Sequence, residues 1–176
     1  MKKLNQLFFF LVCICSLSTT HAQQNTIEVE GGKISGLMNN DKTVESFKGI
    51  PFAAPPVGDL RWRAPQPVQP WNGVLSCTKY SASPMQAKPV PFSMWSEEFL
   101  IPAEPISEDC LYLNVWTGNK SKKNKQPVFV WIYGGGFGSG GSACPIYDGE
   151  ALAKKGIVVV SINYRVGVFG FLHILI

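Results

Sequence analysis

Three consecutive glycines, Gly134–Gly136, follow the apolar run Pro127–Tyr133 and precede Phe137. Backbone without side chains can bring its N–H groups close to a ligand. Two N–H groups aimed at one point stabilise an oxyanion, often the largest single contribution to acyl-transfer catalysis. The competing readings are a plain flexible turn and a phosphate loop. No Gly-Lys-Ser/Thr follows and the spacing is not GxGxxG, which counts against phosphate.

The surrounding elements suit a loop carried on a sheet. Val128–Ile132 is apolar on both faces, the pattern of a central strand covered by helices. Asp148–Lys155 has helix character, with Gly156 placed for a C-terminal cap, and Ile157–Ile162 is a second fully apolar strand. Strand, glycine loop, helix, strand describes an α/β unit with a parallel sheet. Upstream, Leu111–Trp116 reads as a strand, and Thr26–Glu30 and Lys33–Met38 as a hairpin joined by Gly31-Gly32. Thr43–Lys48 adds a third strand after the Asn39–Asp41 turn. The proline-rich stretch Gly49–Gly58 and its continuation to Gly73 predict extended, irregular backbone. Phe52, Leu60, Trp62 and Trp71 argue that this stretch packs on a surface rather than acting as a linker. Ser81–Pro105 has no clean period and reads as a long excursion with at most short helices, a length usually tied to function.

The 176 residues suffice for one modest domain, and 45% hydrophobic content supports a core and excludes wholesale disorder. The net charge of +4 includes Lys2, Lys3 and the run Lys120–Lys125 between two strand-like segments. No aromatic residues interleave with those lysines, so the run reads as a solvated loop rather than a nucleic-acid surface. Lys2 and Lys3, the apolar run Leu7–Leu17, and small residues at Thr20 and Ala22 form a signal-peptide pattern. Residues 1–22 are thus expected to be removed and the mature protein, 23–176, to be exported, periplasmic or secreted. The apolar run is short for a membrane span, and no membrane association is expected after cleavage. A lipoprotein anchor at Cys13 or Cys15 is the alternative, but neither follows the small residue that lipid attachment prefers. The mature chain keeps Cys77, Cys110 and Cys144 in an oxidising compartment, where one disulfide is plausible and one thiol must be left over.

Four blocks carry a family resemblance. They are Gly49-Ile-Pro-Phe-Ala-Ala-Pro-Pro-Val-Gly-Asp-Leu-Arg-Trp62, Ser107-Glu-Asp-Cys-Leu-Tyr-Leu-Asn114, Val130-Trp-Ile-Tyr-Gly-Gly-Gly-Phe137 and Val159-Val-Ser-Ile-Asn-Tyr-Arg-Val-Gly167. In order and spacing they resemble the type-B carboxylesterases, the α/β-hydrolase family that also contains the cholinesterases. The resemblance implies the N-terminal part of an α/β-hydrolase fold, with a small antiparallel hairpin region leading into a mostly parallel central sheet. It implies that Gly135 and Gly136 supply oxyanion-hole N–H groups, and that Arg61 and Glu108 form a buried salt bridge. It makes Cys110 a half-cystine. It implies a serine esterase acting on a small-molecule ester, with no metal or organic cofactor.

The chain departs from the family pattern in two places. The position of the family's usual partner cysteine is occupied by Pro84; Cys77, seven residues earlier, is the available thiol, so the readings are a Cys77–Cys110 bridge, whose geometry the resemblance does not guarantee, and a buried free thiol at Cys77. No Gly-x-Ser-x-Gly occurs, and the histidines are His21 and His173. Gly138-Ser139-Gly140 is the nearest look-alike and reads as part of the glycine loop. The chain is therefore expected to carry oxyanion donors without the nucleophile, acid and histidine, and to be inactive alone. A sequence fragment and a disrupted reading frame both explain this. The alternative function is a non-catalytic adhesion relative, told apart by whether serine or glycine stands at the elbow. Phe92, Trp95 and Phe99 could bind an acyl or alcohol group, but packing under the excursion is the preferred reading.

Overall fold

A computed structural model describes residues 26–118 and 125–172. The signal-peptide reading, most of the Lys120–Lys125 run and His173 lie outside the described residues. Ten strands are described: β1 (Thr26–Val29), β2 (Gly32–Ser35), β3 (Leu37–Met38), β4 (Glu45–Pro51), β5 (Val74–Ser76), β6 (Ser83–Pro84), β7 (Ile106–Ser107), β8 (Tyr112–Thr117), β9 (Val128–Ile132) and β10 (Val158–Ile162). Two short helices, α1 (Glu150–Ala153) and α2 (Gly167–Phe171), follow β9 and β10 respectively.

The main sheet has the order β3-β4-β8-β10-β9. β9 and β10 pair in parallel, from Val158 opposite Val128 to Ile162 opposite Ile132. The other pairs, β3–β4, β4–β8 and β8–β10, are antiparallel. The α/β organisation is therefore present, but the parallel pairing expected of the central sheet is confined, among the described residues, to one strand pair. The reason lies in the connections. Only β9 and β10 are neighbours joined by the long crossover, through the glycine loop and α1, that parallel pairing requires. The hairpin region forms a separate sheet, with β1–β2 antiparallel and β2–β5 parallel.

Two apolar clusters anchor these layers. Ile34, Phe47, Ile50 and Cys77 pack between the sheets, and Val44, Trp116, Ala153 and Val159 pack under α1. Gly49 marks a bulge in β4, where the register with β8 shifts between Phe47 and Ile50. Its freed N–H donates to the Asn114 side chain at 2.9 Å. The strand thus runs on to Pro51, into the stretch expected to be irregular.

Among the described residues β9 lies at the end of the sheet order, and Val128, Phe129, Val130 and Ile132 are 61%, 43%, 52% and 61% exposed. Apolarity on both faces is a property of composition. Burial needs neighbours, and among the described residues only β10 pairs with it. No helix of the described residues is long and apolar enough to cross a membrane.

Candidate active site

The glycine loop leaves the end of β9 through Tyr133, which is buried. Tyr133 stacks on Tyr164, just past β10, with ring centroids 4.3 Å apart and planes at 12°. Each phenol bonds the other residue's backbone. Tyr133 Oη donates to Tyr164 O at 2.8 Å and accepts from Tyr164 N at 3.3 Å, while Tyr164 Oη donates to Tyr133 O at 2.9 Å. Burial pushes the Tyr133 phenol well above its ordinary range, so the proton needed for donation stays in place.

Beyond Tyr133 the chain curls back on itself. Gly138 N and Ser139 N both donate to Gly135 O, at 3.1 and 3.2 Å. Gly135 has φ +130°, and a Cβ there would lie 2.1 Å from Ser139 O, so the curl admits only glycine. Gly167 N, at the start of α2, donates to Phe137 O at 2.7 Å, and the Phe137 and Phe171 rings lie 4.7 Å apart. The loop is thus tied to β10, to α2 and to its own carbonyls.

Within that scaffold, neither Gly135 N nor Gly136 N meets a hydrogen-bond acceptor among the described residues. Both glycines are exposed, and a Cβ on Gly136 would meet nothing within 4 Å. Two neighbouring donors on an exposed, restrained backbone are thus free of protein acceptors among the described residues. Groups arranged this way could hold an anionic oxygen. They supply neither nucleophile nor base, and Ser139 lies in the loop with no histidine beside it among the described residues.

The other site residues of the sequence reading lie elsewhere. Arg61 and Glu108 form a two-pronged ion pair, Nε to Oε2 and Nη2 to Oε1, the latter at 2.7 Å. The hydrogen bonds hold the Glu108 carboxyl below and the Arg61 guanidinium above their ordinary values. The side chains are 37% and 19% exposed, so the pair is half-buried rather than buried. It lines a cavity of about 10 Å³ with Met85, Cys110, Arg165 and Phe169.

No disulfide joins Cys77 to Cys110. Both thiols are free and buried, as is Cys144. Cys77 N donates to Ser35 O and Cys77 O accepts from Lys48 N, which fixes it in the cluster with Ile34, Phe47 and Ile50. Cys110 packs instead with Ala53 and Leu111. Pro84, where the family pattern has the partner cysteine, pairs with Ser107, three residues from Cys110. Burial raises the Cys77 thiol to about 11 and Cys110 to about 12, so neither supplies a thiolate near neutrality.

Phe92, Trp95 and Phe99 are not buried packing residues. Trp95 meets Phe99 edge to face at 5.2 Å, while Phe92 and Trp95 remain exposed.

Several residues that shape the site escaped the sequence reading: Tyr133, Tyr164, Gln86 and a buried network. In that network Asn114 Nδ2 donates to Ser142 and Ser161 Oγ, both at 3.0 Å, and Ser142 N donates to Asn163 Oδ1 at 2.8 Å. Asparagines inside otherwise apolar strand segments were the available signal, because a buried amide requires partners. Gln86, in a patternless segment, offered none.

The model of the carboxylesterase family matches residues 23–175. The chain belongs to the carboxylesterase family. It is 46% identical over 145 residues to a fumonisin B1 esterase of Sphingopyxis macrogoltabida, covering 81% of this chain and 25% of that protein. It is 42% identical over 171 residues to a cholinesterase of Mus musculus, covering 94% of this chain and 28% of that protein. Among solved structures it is similar to a PNB esterase, with a TM-score of 0.75 and 38% identity over 86% of this chain and 30% of that one. The chain therefore spans about a quarter to a third of the length of these relatives.

Proposed function

We propose that this chain is the oxyanion-stabilising part of an exported serine hydrolase of carboxylic esters. The observation that carries this reading is the pair of acceptor-free N–H groups at Gly135 and Gly136, at the end of β9 in a member of the carboxylesterase family. In the complete protein, a serine oxygen would bond to the acyl carbon while a histidine takes the serine proton. The carbonyl electrons would move onto oxygen, where Gly135 N, Gly136 N and a third N–H beside the serine receive them. The alcohol would leave with the proton from histidine, and water would release the acid by the same steps in reverse roles. The substrate is a small-molecule ester. No cofactor, nucleic acid or membrane partner enters this chemistry, and the signal peptide 1–22 delivers the mature protein outside the cytoplasm.

The 176 residues hold no Gly-x-Ser-x-Gly. Purified residues 23–176 are expected to hydrolyse no short-chain nitrophenyl ester above background, whereas the protein that also carries the serine elbow turns it over and is silenced by a serine-directed phosphonate. Phosphonate-sensitive turnover by 23–176 alone would place the nucleophile within these residues and overturn the division of labour. An inactive complete protein, unreactive to the phosphonate, would overturn the esterase reading.

A further inference from the structure

One side chain takes both hydrogen-bonding groups of Gly140, the residue that closes the glycine loop. Gln86 Nε2 donates to Gly140 O at 2.7 Å, and Gly140 N donates to Gln86 Oε1 at 2.8 Å. The same Nε2 also donates to Pro84 O at 2.9 Å, which fixes the amide against its own segment. Among side chains of this length only a carboxamide presents a donor and an acceptor together. Glutamate keeps the acceptor alone, and methionine keeps the shape with neither.

Gly140 in turn lies against the beginning of the loop. A Cβ on Gly140 would fall 2.5 Å from the Tyr133 ring and 2.6 Å from Gly134 O. The closing residue of the loop thus rests directly on the backbone that leads into Gly135 and Gly136. Loop residues between Gly134 and Gly140 have few internal bonds, two of them onto the single acceptor Gly135 O. Gly140 is thus one of the ties, beside Gly167 N to Phe137 O, that hold the loop carrying Gly135 N and Gly136 N. Gln86 follows β6, which pairs with β7 immediately before Glu108, so the clamp is carried by the paired ends of the long excursion.

We propose that Gln86 is a positioning residue of the oxyanion loop, holding Gly140 so that Gly135 N and Gly136 N converge on one point. The proposal rests on the oxyanion reading of those two groups. Its catalytic consequence follows from geometry, since a donor displaced by about an ångström can forfeit on the order of a hundredfold in rate.

The test uses the full-length protein carrying the serine elbow, with sites counted by phosphonate titration. Gln86→Met is expected to lower kcat about ten- to a hundredfold per titrated site, with KM within about threefold of the parent. Affinity for a trifluoromethyl ketone, whose serine adduct bears the oxyanion, is expected to fall in parallel, and Gln86→Glu to lie between. A role in stability alone would lower the melting temperature and leave kcat per titrated site and ketone affinity unchanged, and that result overturns the proposal. Hydrogen exchange needs no variant: Gly140 N–H is expected to be protected in the parent protein, and exchange at an unprotected rate overturns the clamp even if Gln86→Met fails to fold. Absence of esterase activity in the parent would overturn the functional reading instead, with the Gly140 exchange still reporting on the clamp.

Discussion

Two loops of this protein solve the same backbone problem in opposite ways. In the turn Asn39–Val44 the backbone donors of Asn39, Lys42, Thr43 and Val44 find acceptors within the turn, and Asn40 N and Asp41 N meet none among the described residues. Asn39 N donates to Val44 O and Lys42 N to Asn39 O, while Asn39 Oδ1 accepts from Thr43 N at 2.9 Å and Val44 N at 3.1 Å. Asp41 Oδ1 accepts from Thr43 N and Oγ, and Lys154 pairs with Asp41 Oδ2 at 2.9 Å. The glycine loop is tied as firmly, yet every tie lands on Tyr133, Phe137, Gly140 or the carbonyl of Gly135. The successive donors from Gly134 N to Phe137 N, Gly135 N and Gly136 N among them, meet no acceptor among the described residues. A turn whose task is to reverse the chain can use polar side chains to close most of its bonds. A loop that must receive a ligand has to be held from outside and left open within.

The sharpest way to break this comparison is Gly136→Pro in the protein that carries the serine elbow. Proline removes one free donor, and loss of an oxyanion donor typically costs about a hundred- to a thousandfold in kcat. Circular dichroism and phosphonate titration would confirm the fold and the site count. Near-normal kcat in the folded variant would show that this loop does not hold the oxyanion.

Asn39→Ala asks the converse question. It strips Val44 N of its acceptor, leaves Thr43 N with Asp41 Oδ1 alone, and removes the 2.8 Å bond from Asn39 Nδ2 to Glu150 Oε1. The expected result is a loss of roughly 1–2 kcal/mol in stability, read by urea denaturation, with kcat unchanged. A matching fall in kcat at full site count would mean that the two loops are coupled.

The smallest expected effect is one of pH. The Thr43 hydroxyl, followed by Lys154, lowers the Asp41 carboxyl to about 2. Its ordinary value is about 4, so its contribution to stability is complete above about 4 and fades as pH falls towards 2. Carboxyl NMR should place the Asp41 midpoint near 2, and Thr43→Val should move it upward. An unchanged midpoint in Thr43→Val would show that the hydroxyl bond does not hold the turn.

Much of this architecture was legible in the residues. Val128–Ile132 reads as a strand to the residue, because an apolar β-branched and aromatic run of that length between proline and glycine has few other conformations. The Arg61–Glu108 pair entered through family resemblance, and its two-pronged geometry follows from the match of guanidinium and carboxylate forks. The expected disulfide rested on resemblance as well, but there the second cysteine was absent from the matching position and the bond does not form. Helix Asp148–Lys155 shortened to Glu150–Ala153, since it has few residues to propagate beyond its costly first turn.

The sequence by itself determined the composition of the elements, the position of the glycine loop after an apolar strand, and the family. These are local properties, set by side-chain type and spacing along a few neighbouring residues. Only the tertiary structure decided that β4, β8 and β10 pair antiparallel and that Cys77 and Cys110 enter different clusters. It alone brought Gln86 to Gly140, 54 positions away, and Tyr133 to Tyr164, 31 positions away. Those meetings depend on where the connecting chain returns, and a hydrogen-bonding side chain carries no mark of the distant backbone group that will complete it.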